Sequence, residues 1–317
     1  MMLFFVIAGL AVLLISGDIL VRGAVGLAKL LNIPPLLIGM TIVAFGTSAP
    51  ELVVTVKAVL AGEAGIAVGN IIGSNIANVL LVLGLPAIIY PIACSVDGLK
   101  RNAVIMLIAT ALFSWFAFQP GAIDFNRGAF LFALIVAFVA YSGLRMRSGG
   151  QDEAEELEEL EDAPSGAVRI GVYIIVGLIG LPIGAQLLVD NAALLAAQLG
   201  VRDELIGLTI IAFGTSLPEL ATVVAAAMRK HSAVALGNVV GSNLFNLLAV
   251  GGAAGLAGGA AFSPAAQMFD VPVMIACTIL VSGFIFLRGT INRMWGVLFS
   301  IAYFAYIGVL AQGALAG

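Results

Sequence analysis

The sequence has few charged residues and few of the side chains that bind soft metals. Only 10% of its 317 residues are Asp, Glu, Lys or Arg, whereas soluble domains carry roughly a quarter. It has one histidine, and its two cysteines, Cys94 and Cys277, lie far apart without metal-ligand spacing. These absences argue against an ordinary soluble domain, a disulfide framework and a zinc or copper centre.

Apolar residues take the place of the missing charge. They make up 62% of the chain, and apolar runs of the roughly 20 residues that a helix needs to cross a bilayer recur along nearly all of it. Runs of this length favour helices over barrel strands. The pattern predicts an all-α polytopic membrane protein with about ten spans, at 3–30, 35–61, 66–91, 102–119, 126–146, 168–198, 203–228, 233–257, 268–288 and 293–314.

An internal repeat divides these spans into two sets of five. The segment 38–52 recurs as 206–220 with twelve of fifteen positions identical, and 69–78 recurs as 237–246 at the same offset of 168 residues. Because five is odd, the second set enters the membrane from the opposite side. The sequence therefore predicts two inverted five-helix repeats, an arrangement typical of secondary transporters.

The basic residues indicate the orientation, since Lys and Arg favour cytoplasmic span ends. With the N-terminus outside, three of the fourteen basic residues fall outside, namely Lys57, Arg127 and Arg202. The pattern predicts that both termini are outside. It also predicts a first repeat at 1–146, an acidic cytoplasmic linker at 147–166 and a second repeat at 167–317. A solvated linker is favoured over a Ca²⁺ sensor, because the acidic run lacks EF-hand spacing.

Each repeat places a proline and a glutamate inside a predicted span, the second and the seventh. Pro50 and Pro218 cannot donate a backbone hydrogen bond, so these helices are expected to break. Broken backbone at membrane depth is tolerated where it lines a cavity. The adjacent Glu51 and Glu219 are intramembrane carboxylates, which mark functional sites by default.

Neutral oxygen donors accompany the two glutamates. Three- and four-residue spacings on near-helical backbone bring side chains to one face. The donors at these spacings are Thr47, Ser48, Ser74 and Asn78 in the first half, and Thr215, Ser216, Ser242 and Asn246 in the second. An all-oxygen cluster suits hard cations such as Ca²⁺. Its two carboxylates balance one Ca²⁺ or two Na⁺, which gives a physical basis for competition between the ions.

These motifs resemble those of the cation/Ca²⁺ exchanger superfamily, in its Na⁺/Ca²⁺ exchanger branch of prokaryotic type. The duplicated Gly-Thr-Ser-x-Pro-Glu and Gly-Ser-Asn-x-x-Asn segments are similar to its alpha-1 and alpha-2 repeats, here 38–86 and 206–255. The resemblance implies cation ligands at the ten oxygen-bearing residues named above and backbone ligands at Ala44 and Ala212. Asn rather than Asp at positions 78 and 246 implies independence from K⁺. The resemblance also implies electrogenic antiport in a prokaryotic plasma membrane.

Other functions remain open at this point. A proton-coupled Ca²⁺ antiporter could use the same site, and a cation channel would also use oxygen ligands but needs a continuous pore. A membrane-embedded enzyme is not expected, because no nucleophile with a base and no catalytic aspartate pair is visible. The expected partners are Ca²⁺, Na⁺ and the lipid bilayer. No cofactor, nucleic acid or obligate protein partner is predicted.

Overall fold

A computed structural model describes residues 2–119, 121, 123–147, 163–198 and 212–316, which are almost entirely helical. The helices of the first half are α1 (Met2–Leu31), α2 (Pro35–Ile38), α3 (Ala44–Thr47), α4 (Ala49–Leu60), α5 (Ala64–Ala77), α6 (Gly84–Ile89), α7 (Leu99–Phe118) and α8 (Phe125–Arg147). Those of the second half are α9 (Ala167–Gln198), α10 (Ala212–Gly214), α11 (Leu217–Met228), α12 (Ser232–Leu244), α13 (Gly251–Ala257), α14 (Val271–Phe286) and α15 (Arg293–Ala316). Two short strands, β1 (Ile92–Ala93) and β2 (Thr290–Ile291), pair in antiparallel fashion.

The predicted polytopic helical fold is confirmed. Within the described ranges, eight helices or continuous helical runs are long and apolar enough to span a membrane, and the bent run from α2 to α4 makes nine. Of the predicted span 203–228, only the part from residue 212 onward is described, as α10 and α11. The acidic run that begins at Asp152 lies outside the described residues, so the predicted linker and repeat boundaries stay predictions.

The two halves repeat the same structure at the offset seen in the sequence. Helix α4 spans 49–60 and helix α11 spans 217–228, so their ends differ by 168 residues. The strand pairing follows the same offset. Ile92 pairs with Ile291, and the residues 168 positions away from each of them, Ala260 and Ile123, form an isolated bridge. Five spans separate the equivalent elements, so equivalent helices run in opposite directions across the membrane.

The broken spans have the same backbone in both halves. Helix α3 ends at Thr47, α4 begins at Ala49, and the span bends by 42° at this break. Ser48 at the break has φ −85° and ψ 5°, and its mate Ser216 has φ −84° and ψ 2°. Pro50 lies in the first turn of α4, where its missing N–H removes no helical hydrogen bond. The breaks predicted from the prolines are thus present.

Four π-helical segments occur among the described residues, and no sequence pattern predicted them. They are Gly39–Val43, Asn78–Val82, Phe245–Val250 and Ala266–Asp270. The first precedes the break in the second span, and the next two continue α5 and α12. Short π-helical segments inside α-helices are frequent at functional sites, and these three lie next to the repeated motifs.

The most buried part of the fold consists of the spans α5–α6 and α12–α13. In an apolar stretch of 18 residues from each of these spans, 83% and 94% of the residues are buried, against 33% for α1 and 22% for α9. Close backbone approach makes this core possible, since a Cβ added to Gly241 would lie 2.6 Å from the Met40 carbonyl oxygen. The core spans therefore hold the repeated motifs at the centre of the molecule, while α1 and α9 pack on its outside.

Candidate cation-binding site

The two glutamates are buried at the centre of the fold, one from each half. Glu51 lies in the first turn of α4 and is 1% exposed, and Glu219 lies in the first turn of α11 and is 0% exposed. The two glutamates lie in the same region, because Ser48 at the first break contacts the Glu219 carboxyl group. Each break therefore delivers a carboxylate into the same interior region, where an uncompensated charge is costly.

Hydroxyl groups from the first broken span reach the opposite half. The Ser48 hydroxyl donates to Glu219 Oε1 at 3.0 Å. The Thr47 hydroxyl donates to Asn238 Oδ1 at 3.2 Å and lies 3.5 Å from the Ser242 hydroxyl. The spacing argument grouped Thr47 and Ser48 with Glu51 on one helix face, but these contacts join the two repeats. The cluster is thus shared between the halves.

The second broken span makes a similar contact in return. The Thr215 hydroxyl donates to Asn70 Oδ1 at 3.5 Å. Thr215 and Ser74 both lie beside the Glu51 carboxyl group, although neither Glu51 oxygen has a hydrogen bond of good geometry among the described residues. Ser216 is 1% exposed, and its hydroxyl also has no partner there. The Glu51 carboxyl group therefore lies beside hydroxyl groups, but neither of its oxygens accepts a hydrogen bond of good geometry from them.

The two predicted asparagine ligands lie at the π-helical segments. Asn78 begins one segment and donates through Nδ2 to Asn243 Oδ1 at 3.0 Å. Asn246 lies within the other segment and is 0% exposed. The structure thus brings both amides into the buried core spans that carry the repeated motifs.

The predicted backbone ligands are the carbonyl oxygens of Ala44 and Ala212. The Ala44 carbonyl accepts from the Ser48 N–H at 3.0 Å and lies 3.3 Å from the Thr47 hydroxyl. Ala212 is the first described residue of its span. The assignment of Ala44 and Ala212 as ligands therefore stays a prediction.

Several buried oxygens in this region have no hydrogen-bond partner among the described residues. They are both carboxyl oxygens of Glu51, Oε2 of Glu219, Oδ1 of Asn78, Oδ1 of Asn246 and the Ser216 hydroxyl. Buried polar atoms are normally paired, so a group of unpaired oxygens calls for an explanation. A hard cation fits, because it binds carboxylate, amide and hydroxyl oxygens. Across the described ranges, no three His, Cys, Asp or Glu side chains cluster as a softer metal would require.

Four asparagines that the sequence reasoning did not single out belong to the same region. Asn70 donates to the Glu51 carbonyl at 3.1 Å and to Thr55 Oγ1 at 2.8 Å, and its repeat mate Asn238 accepts from Thr47. Asn75 and Asn243 form the second repeated pair, and both are buried. Sequence spacing could have found Asn70, because it lies four residues before Ser74, and the same spacing selected Asn78, four residues after Ser74.

Comparison with known proteins gives a consistent result. Residues 1–144 and 170–312 match the family described as sodium/calcium exchanger protein. The putative antiporter CaxA of Alkalimonas amylolytica is 38% identical over 307 residues, covering 95% of this chain and 96% of the relative. The sodium/calcium exchanger MaX1 of Methanosarcina acetivorans is 32% identical over 336 residues, again covering 95% and 96%.

A solved structure shares the whole fold. The sodium-calcium exchanger NCX_Mj, soaked with zero Na⁺ and Ca²⁺, aligns with a TM-score of 0.83 and 31% sequence identity. The alignment covers 98% of this chain and 98% of that one. The likeness therefore includes both halves and the central spans that carry the repeated motifs.

Proposed function

This chain belongs to the sodium/calcium exchanger protein family, and we propose that it exchanges Na⁺ for Ca²⁺ at the cluster formed around Glu51 and Glu219. The predicted resemblance to that family is confirmed. The proposal assigns the shared site to the twelve predicted ligand positions: Ala44, Thr47, Ser48, Glu51, Ser74, Asn78, Ala212, Thr215, Ser216, Glu219, Ser242 and Asn246.

The observation that carries the proposal is that each half contributes a buried glutamate to a region of unpaired oxygens, and that the Ser48 hydroxyl beside the first break donates to Glu219 of the other half. Two carboxylates neutralise one Ca²⁺ or two Na⁺, so the ions compete for one set of ligands. Burial makes an empty, doubly charged site costly. Occupancy by either ion then favours the change of access, which couples the two fluxes.

The amides at positions 78 and 246 support the finer parts of the proposal. With Asn at both places, the predicted ligand set contains two carboxylates, and no further charge is present there to balance an additional K⁺. We therefore propose K⁺-independent exchange. Several Na⁺ per Ca²⁺ would make the exchange electrogenic, as the family resemblance implied.

The packing of α1 and α9 supports alternating access. A Cβ on Gly184 would lie 2.7 Å from the Leu13 backbone nitrogen, and one on Gly177 would lie 2.9 Å from the Leu20 Cα. The two outer helices are therefore in backbone contact along their length. In the proposal they move as one unit across the central spans and expose the site to one side at a time.

One pair of contacts places two of the basic residues on the same side of the membrane. Asp18 pairs with Arg22 at 3.0 Å and with Arg229 at 2.5 Å, so these two arginines lie at the same level of the membrane. The excess of basic residues assigned both of them to the cytoplasmic side. We propose that both termini lie outside, that the acidic linker is cytoplasmic and that the protein resides in a plasma membrane.

Ca²⁺ uptake by the purified protein in sealed liposomes tests the proposed function. Vesicles loaded with Na⁺ and diluted into Na⁺-free medium are expected to accumulate Ca²⁺ above the outside concentration, because outward Na⁺ flux drives it. Equal uptake with and without K⁺ is expected. A positive-inside potential should speed uptake, because several Na⁺ leaving for each Ca²⁺ that enters carry net positive charge outward. Uptake driven only by a pH gradient would make the protein a proton-coupled antiporter. Ca²⁺ movement that never exceeds equilibrium would indicate a channel.

A further inference from the structure

Helix α1 lies directly against α11, and their mates α9 and α4 do not make an equally close contact. A Cβ on Gly17 would lie 2.8 Å from the Ala221 carbonyl oxygen, and Ala221 on α11 is 4% exposed. The residue 168 positions before Ala221 is Val53 on α4, which is 51% exposed. In the proposed function, the contact of α1 with α11 corresponds to one of the two access states.

An ion pair joins α1 to the core at this contact. Arg229, which follows the last residue of α11, donates from Nε to Asp18 Oδ1 at 2.5 Å. Arg22, one turn further along α1, lies 3.0 Å from Asp18 Oδ2. The bond to Arg229 crosses the boundary along which the outer helices move in the proposed function, whereas the bond to Arg22 lies within α1 and moves with it.

The surroundings of the ion pair make it costly to break. The Arg229 and Asp18 side chains are 18% and 34% exposed. Asp18 lies near the middle of the 30-residue helix α1, at a depth where an uncompensated carboxylate is costly. The two residues line a groove between the helices, and its other lining residues are all apolar: Leu14, Ile15, Val224, Ala225 and Met228. Charges in such surroundings attract each other more strongly than they do in water.

The same ion pair cannot form at the equivalent positions of the other half. The residues 168 positions from Asp18 and Arg229 are Gln186 and Ala61. In a transporter built from inverted repeats, the two halves exchange arrangements when access changes sides, so the pair is lost in the opposite state and is not replaced at these positions. Asp18 then keeps Arg22 on its own helix, which limits the cost of separation.

We propose that Asp18 and Arg229 form a reversible latch that stabilises the access state in which α1 lies against α11. The latch closes the site toward the side on which Arg229 lies, the cytoplasmic side in the proposed orientation. It thereby sets how the protein distributes between its two access states. This inference rests on the proposed exchange function.

Apparent Ca²⁺ affinity measured separately from each membrane face tests the latch. Right-side-out and inverted vesicles contain the full-length protein with equal Na⁺ on both sides, so that the loaded protein distributes between the two states. The apparent affinity from a face is proportional to the fraction of protein open to that face. Asp18→Asn and Arg229→Gln are each expected to shift the ratio of the two affinities about fivefold toward the face on which Arg229 lies. This factor corresponds to about 1 kcal/mol, the upper end for partly exposed ion pairs.

Two further variants distinguish the latch from a general effect of charge. Arg22→Gln removes the partner that Asp18 keeps in both states, so Asp18 depends more on Arg229, and the ratio is expected to shift in the opposite direction. Asp97→Asn breaks another ion pair, which Arg288 makes at 2.6 Å outside α1 and α9, and should leave the ratio unchanged.

A double variant shows whether Asp18 and Arg229 act through each other. Asp18→Asn combined with Arg229→Gln should shift the ratio no more than either change alone. Shifts that multiply, a shift toward the opposite face, or an equal shift in Asp97→Asn would overturn the inference. If Asp18→Asn does not fold, Arg229→Gln still provides the test, because Asp18 keeps Arg22 in that variant.

Failure of the proposed function and failure of the latch have different signatures. If the unsubstituted protein shows no Na⁺-driven Ca²⁺ uptake, the proposed function fails. If it shows uptake and the ratio of affinities is unchanged in Asp18→Asn and Arg229→Gln, the function stands and the latch is wrong.

Discussion

Glu51→Gln and Glu219→Gln are each expected to reduce Na⁺-driven Ca²⁺ uptake about a hundredfold or more. Each substitution keeps the size of the side chain and removes one of the two charges that balance Ca²⁺ in the proposed site. Removing one partner of a buried charged set costs about 3–5 kcal/mol, and each 1.4 kcal/mol is about tenfold in binding. Initial uptake rates in Na⁺-loaded liposomes measure the effect.

A third glutamate provides the matched control. Glu63 precedes α5, is exposed and lies outside the cluster, so Glu63→Gln should transport like the unsubstituted protein. The Ser48 hydroxyl can still donate to the amide oxygen of Gln at position 219, so that variant should remain folded. Uptake at the normal rate by either site variant would remove its glutamate from the proposed site.

Gly241→Ala is expected to lower the stability of the fold and abolish transport. An added Cβ would lie 2.6 Å from the Met40 carbonyl oxygen and 2.7 Å from the Ala44 Cβ. Because backbone cannot swing aside like a flexible side chain, α12 must move away from the π-helical segment Gly39–Val43. Overpacking of this kind costs about 1–3 kcal/mol. It also displaces Ser242, the next residue, from Thr47.

Gly143→Ala is the control for that substitution. Gly143 lies in α8, and an added Cβ there would meet nothing within 4 Å. Alanine is also favoured over glycine inside a helix by about 0.5–1 kcal/mol. Thermal unfolding in detergent should therefore show a lower midpoint for Gly241→Ala and an unchanged or higher one for Gly143→Ala. Equal unfolding midpoints and normal transport in both variants would show that the core tolerates the separation of α12 from the π-helical segment Gly39–Val43.

Much of the fold could be predicted because membrane solvation and backbone chemistry act locally. A run of apolar residues must satisfy its backbone internally, so it forms a helix. Pro50 and Pro218 break their spans for the same local reason. The π-helical segments could not be predicted, since they depend on how α5 and α12 pack against their neighbours. No periodicity in the sequence predicted that a π-helical segment begins at Asn78.

The sequence predicted a set of site residues, and the structure shows contacts among them that spacing along the chain did not predict. Spacing along one helix correctly selected Ser48 as a residue near a carboxylate, but its hydroxyl donates to Glu219 rather than to Glu51. Asn243 was overlooked because its contact is with Asn78, which lies 165 residues away in the chain. Periodicity within one helix describes a single face, whereas these bonds cross from one half to the other.

The sequence by itself determined the membrane environment, the duplicated five-span plan, the broken helices and the two intramembrane glutamates. Each follows from composition, repetition or the chemistry of a single residue. Only the tertiary structure decided which oxygens are paired across the two halves and which have no hydrogen-bond partner among the described residues. Those choices depend on how two nearly identical halves lie against each other, and two copies of one motif cannot encode that difference locally.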